Sequence, residues 1–171
     1  METWEAIRSR RNVRSFEDRS LPEDHLNEIL EAGRRAPSSQ NWQPWDFVVV
    51  TEREQLVKLS QTWQGAGHVA HSAATVALVA SPPEHERRRG TLYYDLGQAT
   101  MSMMLAAASL GIGSCHSSVG DQDLAREILR FPPDKFCVYM ISLGYPAERP
   151  LSLIRQPNRR PLDEVVHREH W

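Results

Sequence analysis

Cysteine is nearly absent from this chain, with Cys115 and Cys137 the only two in 171 residues. Two thiols cannot build the framework of a disulfide-stapled secreted scaffold, and no apolar h-region follows Met1, so a cytoplasmic setting is expected. An excess of one charge is missing as well. Twenty Lys and Arg stand against 22 Asp and Glu, a formal net charge of −2, which gives no reason to expect nucleic acid or an anionic membrane as partner and leaves any anion recognition to local clusters. No long hydrophobic run occurs either: residues 101–110, with Leu96 ahead of them, are Ala- and Met-rich but fall short of the roughly 20 residues that span a bilayer. That stretch reads as a buried helix. Hydrolytic chemistry lacks its parts, because there is no G-x-S-x-G elbow, no assignable base for Cys115 and no convincing carboxylate pair. His68, His71, Cys115 and His116 match no tight zinc spacing, so no metal site is expected.

What is present fits one globular domain spanning residues 1–171, long enough to bury a core without disulfides or metals. Residues 4–10 permit a short helix that breaks at residues 12–16. Ser20 and Pro22 read as the N-cap and an early position of an amphipathic helix carried by Leu26, Ile29, Leu30 and Gly33 and stopped by Pro37. Residues 47–50 (FVVV), 74–80 (ATVALVA) and 136–143 (FCVYMISL) read as buried strands. Helical spacing returns in residues 52–63 and again, briefly, in residues 121–129. Residues 93–110 are apolar around nearly the whole circumference, which marks a helix enclosed by other elements or by a second subunit and favours an oligomer. Beyond Pro146 the chain passes through Pro150, Pro157 and Pro161 with few core-forming positions, so residues 147–160 are expected to run extended across some other surface. Three strands and about five helices, with no dinucleotide-binding unit at the start, give an α+β class.

Four clusters could carry chemistry. Arg10-Arg11-Asn12-Val13-Arg14 places three guanidinium groups within five residues, enough to hold a phosphate bidentately, although a solvated basic helix end looks the same in sequence. Residues 36–45 (APSSQNWQPW) are dense in hydroxyls and amides, the donors and acceptors that a ligand with carbonyls, ring nitrogens and a polyol chain requires; ordinary turn chemistry is the alternative. Gly111-Ile112-Gly113-Ser114-Cys115-His116 either lets backbone N–H groups approach a flat ligand or simply caps the preceding helix. Asn158-Arg159-Arg160-Pro161-Leu162 is a second basic site, and two separated basic sites could clamp one phosphate.

In this order the pieces resemble the FMN-dependent nitroreductase family over nearly the whole chain. Residues 10–16 (RRNVRSF) are similar to its opening R-R-S-x-R-x-F, and residues 36–47 to its A-P-S-x-x-N-x-Q-P-W-x-F. Residues 95–115 look like its central helix and following loop, residues 143–146 like its L-G-Y-P, and residues 160–166 like its terminal R-x-P-L-x-E-x-V. The resemblance implies a mostly antiparallel sheet flanked by helices, and a homodimer whose C-terminal extension is exchanged between subunits. It also implies FMN at the interface. Carried over by residue, Arg10, Arg14 and Arg160, with Arg159 adjoining, would hold the flavin phosphate, while Arg11 and Asn12 would reach the ribityl chain and pyrimidine edge. Pro37, Ser38, Ser39, Asn41 and Gln43 would come from the other subunit, and Gly113 and Ser114 would offer backbone donors near N5. Asn12 stands where the family often has Ser, and the 82–91 link is short for the lid of larger members. The implied activity is ping-pong hydride transfer from NADH or NADPH through flavin N5 to a nitroaromatic, quinone or activated alkene, with the flavin and no protein group as the reacting centre. A deazaflavin-dependent member of the family and an FMN-binding or storage protein with little turnover are the alternatives.

Overall fold

Residues 74–80 (ATVALVA) combine Ala with β-branched and aliphatic side chains, and every one of them is buried. A strand read this way needs cover on both faces, and that requirement organises the molecule. The computed structural model describes residues 2–171. Its elements run α1 (Thr3–Ser9), α2 (Glu23–Arg34), β1 (Asp46–Val50), α3 (Arg53–Leu59), β2 (Ala74–Ala80), α4 (Arg87–Ser109), β3 (Gly113–Ser118), α5 (Gln122–Leu129) and β4 (Phe136–Gly144). The sheet order is β1-β2-β4-β3, with every neighbouring pair antiparallel.

Side chains alternate across this sheet and build a core on each face. Val76, Leu78, Ile141 and Leu143 meet Ile29 of α2 and Leu96, Met103 and Ala107 of α4. Ala77, Val79, Cys137 and Met140 meet Leu56 and Leu59 of α3 and Ala125 of α5. The result is an α+β sandwich of three layers. Helix α2 packs closely on α4 because Gly33 has no side chain: a Cβ there would lie 2.8 Å from Met103 Cγ.

Three local expectations change. Helix α2 begins at Glu23, with Pro22 in the cap position and no side-chain cap bond, so Ser20 is not its N-cap. The Pro22 carbonyl accepts from Leu26 N–H at 3.1 Å, and the fixed φ of proline suits that entry. Helix α4 starts at Arg87, six residues ahead of the apolar stretch that announced it. A fourth strand, β3, occupies Gly113–Ser118, which had read as a loop after the helix. Its residues (GSCHSS) carry little β-propensity, and pairing with β4 across the whole length overrides it. Ahead of that strand Gly111, at φ +74°, closes α4. Its N–H donates to the Ala108 carbonyl at 3.0 Å and Ile112 N–H to the Ala107 carbonyl at 2.8 Å, the two hydrogen bonds of a left-handed helix end. Among the described residues no helix is long and apolar enough to cross a membrane.

Residues 152–171 are exposed throughout. One backbone bond, Ile154 N–H to the Arg8 carbonyl at 2.9 Å, ties this tail to α1.

Candidate functional site

The Arg10–Arg14 cluster forms a strap along the free edge of β3. Val13 N–H donates to the Ser114 carbonyl at 3.0 Å, Glu17 N–H to the Tyr145 carbonyl at 2.8 Å and Ala147 N–H to the Ser15 carbonyl at 3.1 Å. Val13 and Phe16 turn inward, each onto a glycine. A Cβ at Gly113 would sit 2.7 Å from Val13 Cγ2, and one at Gly144 2.8 Å from Phe16 Cδ1. With Val13 buried, Asn12 and Arg14 are left exposed and Arg10 and Arg11 half-exposed. Arg10 Nη1 donates to Asn12 Oδ1 at 3.1 Å and Arg11 Nη2 to the Arg149 carbonyl at 2.7 Å. Among the described residues, none of Arg10, Arg11 and Arg14 forms an ion pair with a carboxylate. Three guanidinium groups in this state are ready for an external anion.

Gly113 and Ser114 lie buried beneath the strap, and the close approach that Gly113 permits is to Val13. Behind them the other face of the sheet holds His68, buried with its Nδ1 2.9 Å from Ser142 Oγ. Burial holds the His68 pKa down to about 4, and the charges of Arg14 and His116 add to this. Burial also pushes the Cys115 thiol up, against the pull of Arg14 and Arg10. Cys137 is pushed up to about 12 by burial. Neither thiol is set up as a thiolate nucleophile.

Arg10 walls an apolar cleft of about 330 Å³ together with Tyr93, Gly97, Thr100 and Met101 of α4 and His116 of β3. Tyr93 meets Tyr139 edge-on at 6.3 Å between ring centres, and the buried Thr100 hydroxyl has no hydrogen-bond partner. In sequence the α4 and β4 positions among these read as packing. The available signal was Gly97, a poor helix former in the middle of α4, where close approach of another group is one reason to keep a glycine. A wider cavity of about 730 Å³ on the other side of Arg10 joins Arg11 and Asn12 to Ile154, Asn158 and Arg159 of the tail. Arg160 is not brought there: its Nε faces Glu164 at 3.3 Å on the surface.

The loop over residues 37–43 stands apart from the strap and is held by α4. Both Asp95 carboxylate oxygens accept the Ser39 N–H at 3.1 Å, and Gln98 Nε2 donates to the Pro37 carbonyl at 3.3 Å. Asp95 is only 1% exposed, and the sequence reading missed this role. Inside the loop Gln43 N–H donates to Ser38 Oγ at 2.9 Å and Gln43 Nε2 to the Asn41 carbonyl at 3.1 Å. Gln40, Asn41 and Gln43 have φ of 52°, 57° and 50°, a left-handed backbone that costs energy in residues other than glycine and is found where a loop is shaped for function. Pro37, Ser39, Asn41 and Gln43 are exposed. Within one subunit the structure brings Arg10, Arg11, Asn12 and Arg159 together, and holds Pro37, Ser38, Ser39, Asn41 and Gln43 as a separate set.

The same architecture occurs in solved proteins. A nitroreductase family protein of Clostridium difficile 630 superposes with a TM-score of 0.84 over 100% of both chains at 26% identity. In sequence, a protein of Archaeoglobus fulgidus named "Putative NADH dehydrogenase/NAD(P)H nitroreductase" is 31% identical over 174 residues, 99% of each chain. The NAD(P)H FMN reductase of Bacillus subtilis is 25% identical over 189 residues, covering 99% of this chain and 74% of its own. The model of the nitroreductase family matches residues 7–66 and 59–145, a span that takes in the strap, the Asp95-held loop and β4, and with a relative alike from end to end it follows that this chain belongs to the nitroreductase family.

Proposed function

We propose that the chain, a single domain over residues 1–171, works as a homodimeric FMN-dependent NAD(P)H oxidoreductase with its flavin between the subunits. One observation carries the reading: Arg10, without a carboxylate partner among the described residues, walls an apolar cleft whose buried Thr100 hydroxyl is unpaired, and Arg11 and Arg14, likewise without one, follow it on the same strap. A flat ring with an anionic tail fits that combination of an apolar wall, one free hydroxyl and unneutralised positive charge. When bound, FMN would supply ping-pong hydride transfer from NADH or NADPH through N5 to an electron-poor acceptor such as a nitroaromatic, quinone or activated alkene. The chain's own residues bind and orient. Arg10 and Arg14 hold the phosphate, Arg11 and Asn12 reach the ribityl side, and the Tyr93–Met101 face of α4 excludes water from the ring.

The two-subunit arrangement is supported by the separation of the strap from the 37–43 loop. It is supported also by exposed apolar surface on α1, α4 and the tail, where Trp4 is 65% and Tyr94 69% exposed. Trp4, Ile7, Met101 and Ile154 of those three elements line one cavity, and exposed apolar groups gathered in this way mark an interface. In a dimer the partner's Ser38, Ser39, Asn41 and Gln43 complete the site, and exchange of the tail brings Arg160 to it.

The test is the visible spectrum of the purified protein before and after addition of NADH or NADPH without oxygen. Flavin bands that bleach are expected. Bands that persist with nicotinamide but bleach with a reduced deazaflavin would transfer the reading to that donor, and bands that neither donor bleaches would make this an FMN-storage protein. Arg10→Ala and Arg14→Ala are each expected to weaken FMN retention about tenfold or more, the scale of a charge-assisted phosphate contact of about 1.5–3 kcal/mol. Unchanged flavin affinity in both variants would overturn the phosphate assignment.

A further inference from the structure

The 37–43 loop carries Trp42, which is 43% exposed and has the Arg88 guanidinium 4.7 Å above its ring. Trp42 and Arg88 wall a concavity of about 250 Å³ with Ser39, Gln40 and Thr91. Its functional groups are a planar guanidinium, two hydroxyls and a carboxamide, and among the described residues no carboxylate lines it. Arg88 has no ion pair among the described residues, whereas its neighbour Arg89 pairs with Glu86 at 3.3 Å. Stacking on an aromatic face fixes a guanidinium without neutralising it, so its donors stay available and less ordering entropy remains to be lost on binding. Across the indole a second concavity of about 380 Å³ runs between Trp45, Pro82, Pro83 and Leu92, with the Asp46–Lys135 pair and Glu84 also lining it. It leaves room for a ring beside Trp42.

We propose that Trp42 and Arg88 form a specificity site for planar substrates bearing an oxyanion, with the ring against the exposed indole and the carboxylate or phosphate on Arg88, Ser39 and Thr91. The proposal rests on the flavin reading above, because the loop that supplies Ser38 and Ser39 to the flavin is the one that carries Trp42. Two substrates of such an enzyme can bring the oxyanion: an acceptor with a carboxylate, or the ribose phosphate that NADPH has and NADH lacks.

Wild-type holoenzyme, Arg88→Gln and Arg88→Lys would be compared by KM for 4-nitrobenzoate against nitrobenzene at fixed reductant, by KM for NADPH against NADH at fixed acceptor, and by FMN Kd. In Arg88→Gln the ratio of anionic to neutral KM is expected to rise about tenfold in one pair, as loss of a charge-assisted contact predicts. Arg88→Lys keeps the charge without the planar fork and should recover part of it. A shift confined to the nitroarenes puts the oxyanion on the acceptor, and one confined to the dinucleotides puts it on the donor. Equal changes for charged and neutral members, or none in either pair, overturn the site. Weakened FMN binding with both ratios unmoved also overturns it and assigns Arg88 to the flavin phosphate. Should wild-type protein take up no FMN, the flavin reading and this site fall together; intact flavin with unmoved ratios sinks this site alone.

Discussion

Gly113 and Gly144 carry the strap by having no side chain where Val13 and Phe16 sit. Gly113→Ala forces Val13 outward and is expected to cost about 1–3 kcal/mol, the usual range for overpacking. A lowered urea midpoint with weaker FMN binding is the expected result, and a variant matching wild type in both would refute the close approach. Sequence had marked Gly113 as a place of close approach, but to a flat ligand; that the neighbour is Val13, a hundred residues away, becomes visible only in the fold. His68 makes a prediction about pH. Its native pKa is about 4 against an ordinary 6.5, so the unfolded chain takes up a proton first as pH falls. Stability from the neutral form is complete above about pH 6.5 and is lost progressively toward pH 4, amounting to about 2–3 kcal/mol. Urea titrations at pH 7.5 and 4.5 should show a smaller difference for His68→Gln than for wild type. An identical difference in the two proteins would mean that His68 titrates normally.

Helix α4 is the element on which the site is hung. One side of it buries Leu92, Leu96, Ala99 and Met103 in the core, another fixes the 37–43 loop through Asp95 and Gln98, and a third lines the cleft beside Arg10. Asp95→Ala leaves the Ser39 amide unpaired and is expected to cost about 1–3 kcal/mol. FMN affinity should fall about tenfold while the far-ultraviolet circular dichroism is unchanged, and Asp95→Asn, keeping one acceptor, should restore part. Normal affinity in Asp95→Ala would show that loop order does not matter to the flavin. The helices were legible because amphipathic spacing survives in sequence, as in Leu26, Ile29 and Leu30 of α2 or Leu56 and Leu59 of α3. Strand β3 was not. Its serines and histidine carry no β-branched run, and its strand state comes from pairing with β4.

At the scale of the molecule the tail is the segment on which the proposed assembly turns. Residues 152–171 stay exposed in the single subunit, and Leu162, Val165, Val166 and Trp171 are apolar groups on that surface. Under the proposed exchange of the tail, truncation after Pro150 is expected to give a monomer by light scattering that no longer retains FMN, because that segment and its arginines are gone. A flavin-loaded dimer from the truncated chain would show that the tail is dispensable to both. The sequence by itself determined the α+β class, the three apolar strands, the helix spacings and the identity of the basic and hydroxyl-rich clusters, since periodicity and charge are local properties written in residue order. It pointed also, through residues 10–16 and 36–47, to the family. Only the tertiary structure decided that the strap lies on β3, that Asp95 holds the loop, that Arg159 approaches Arg10 while Arg160 turns to Glu164, and that Arg88 stacks on Trp42. Apart from the local Arg160–Glu164 pair, each of those is a contact between segments distant along the chain, and such pairings depend on how the layers close, which no local pattern encodes.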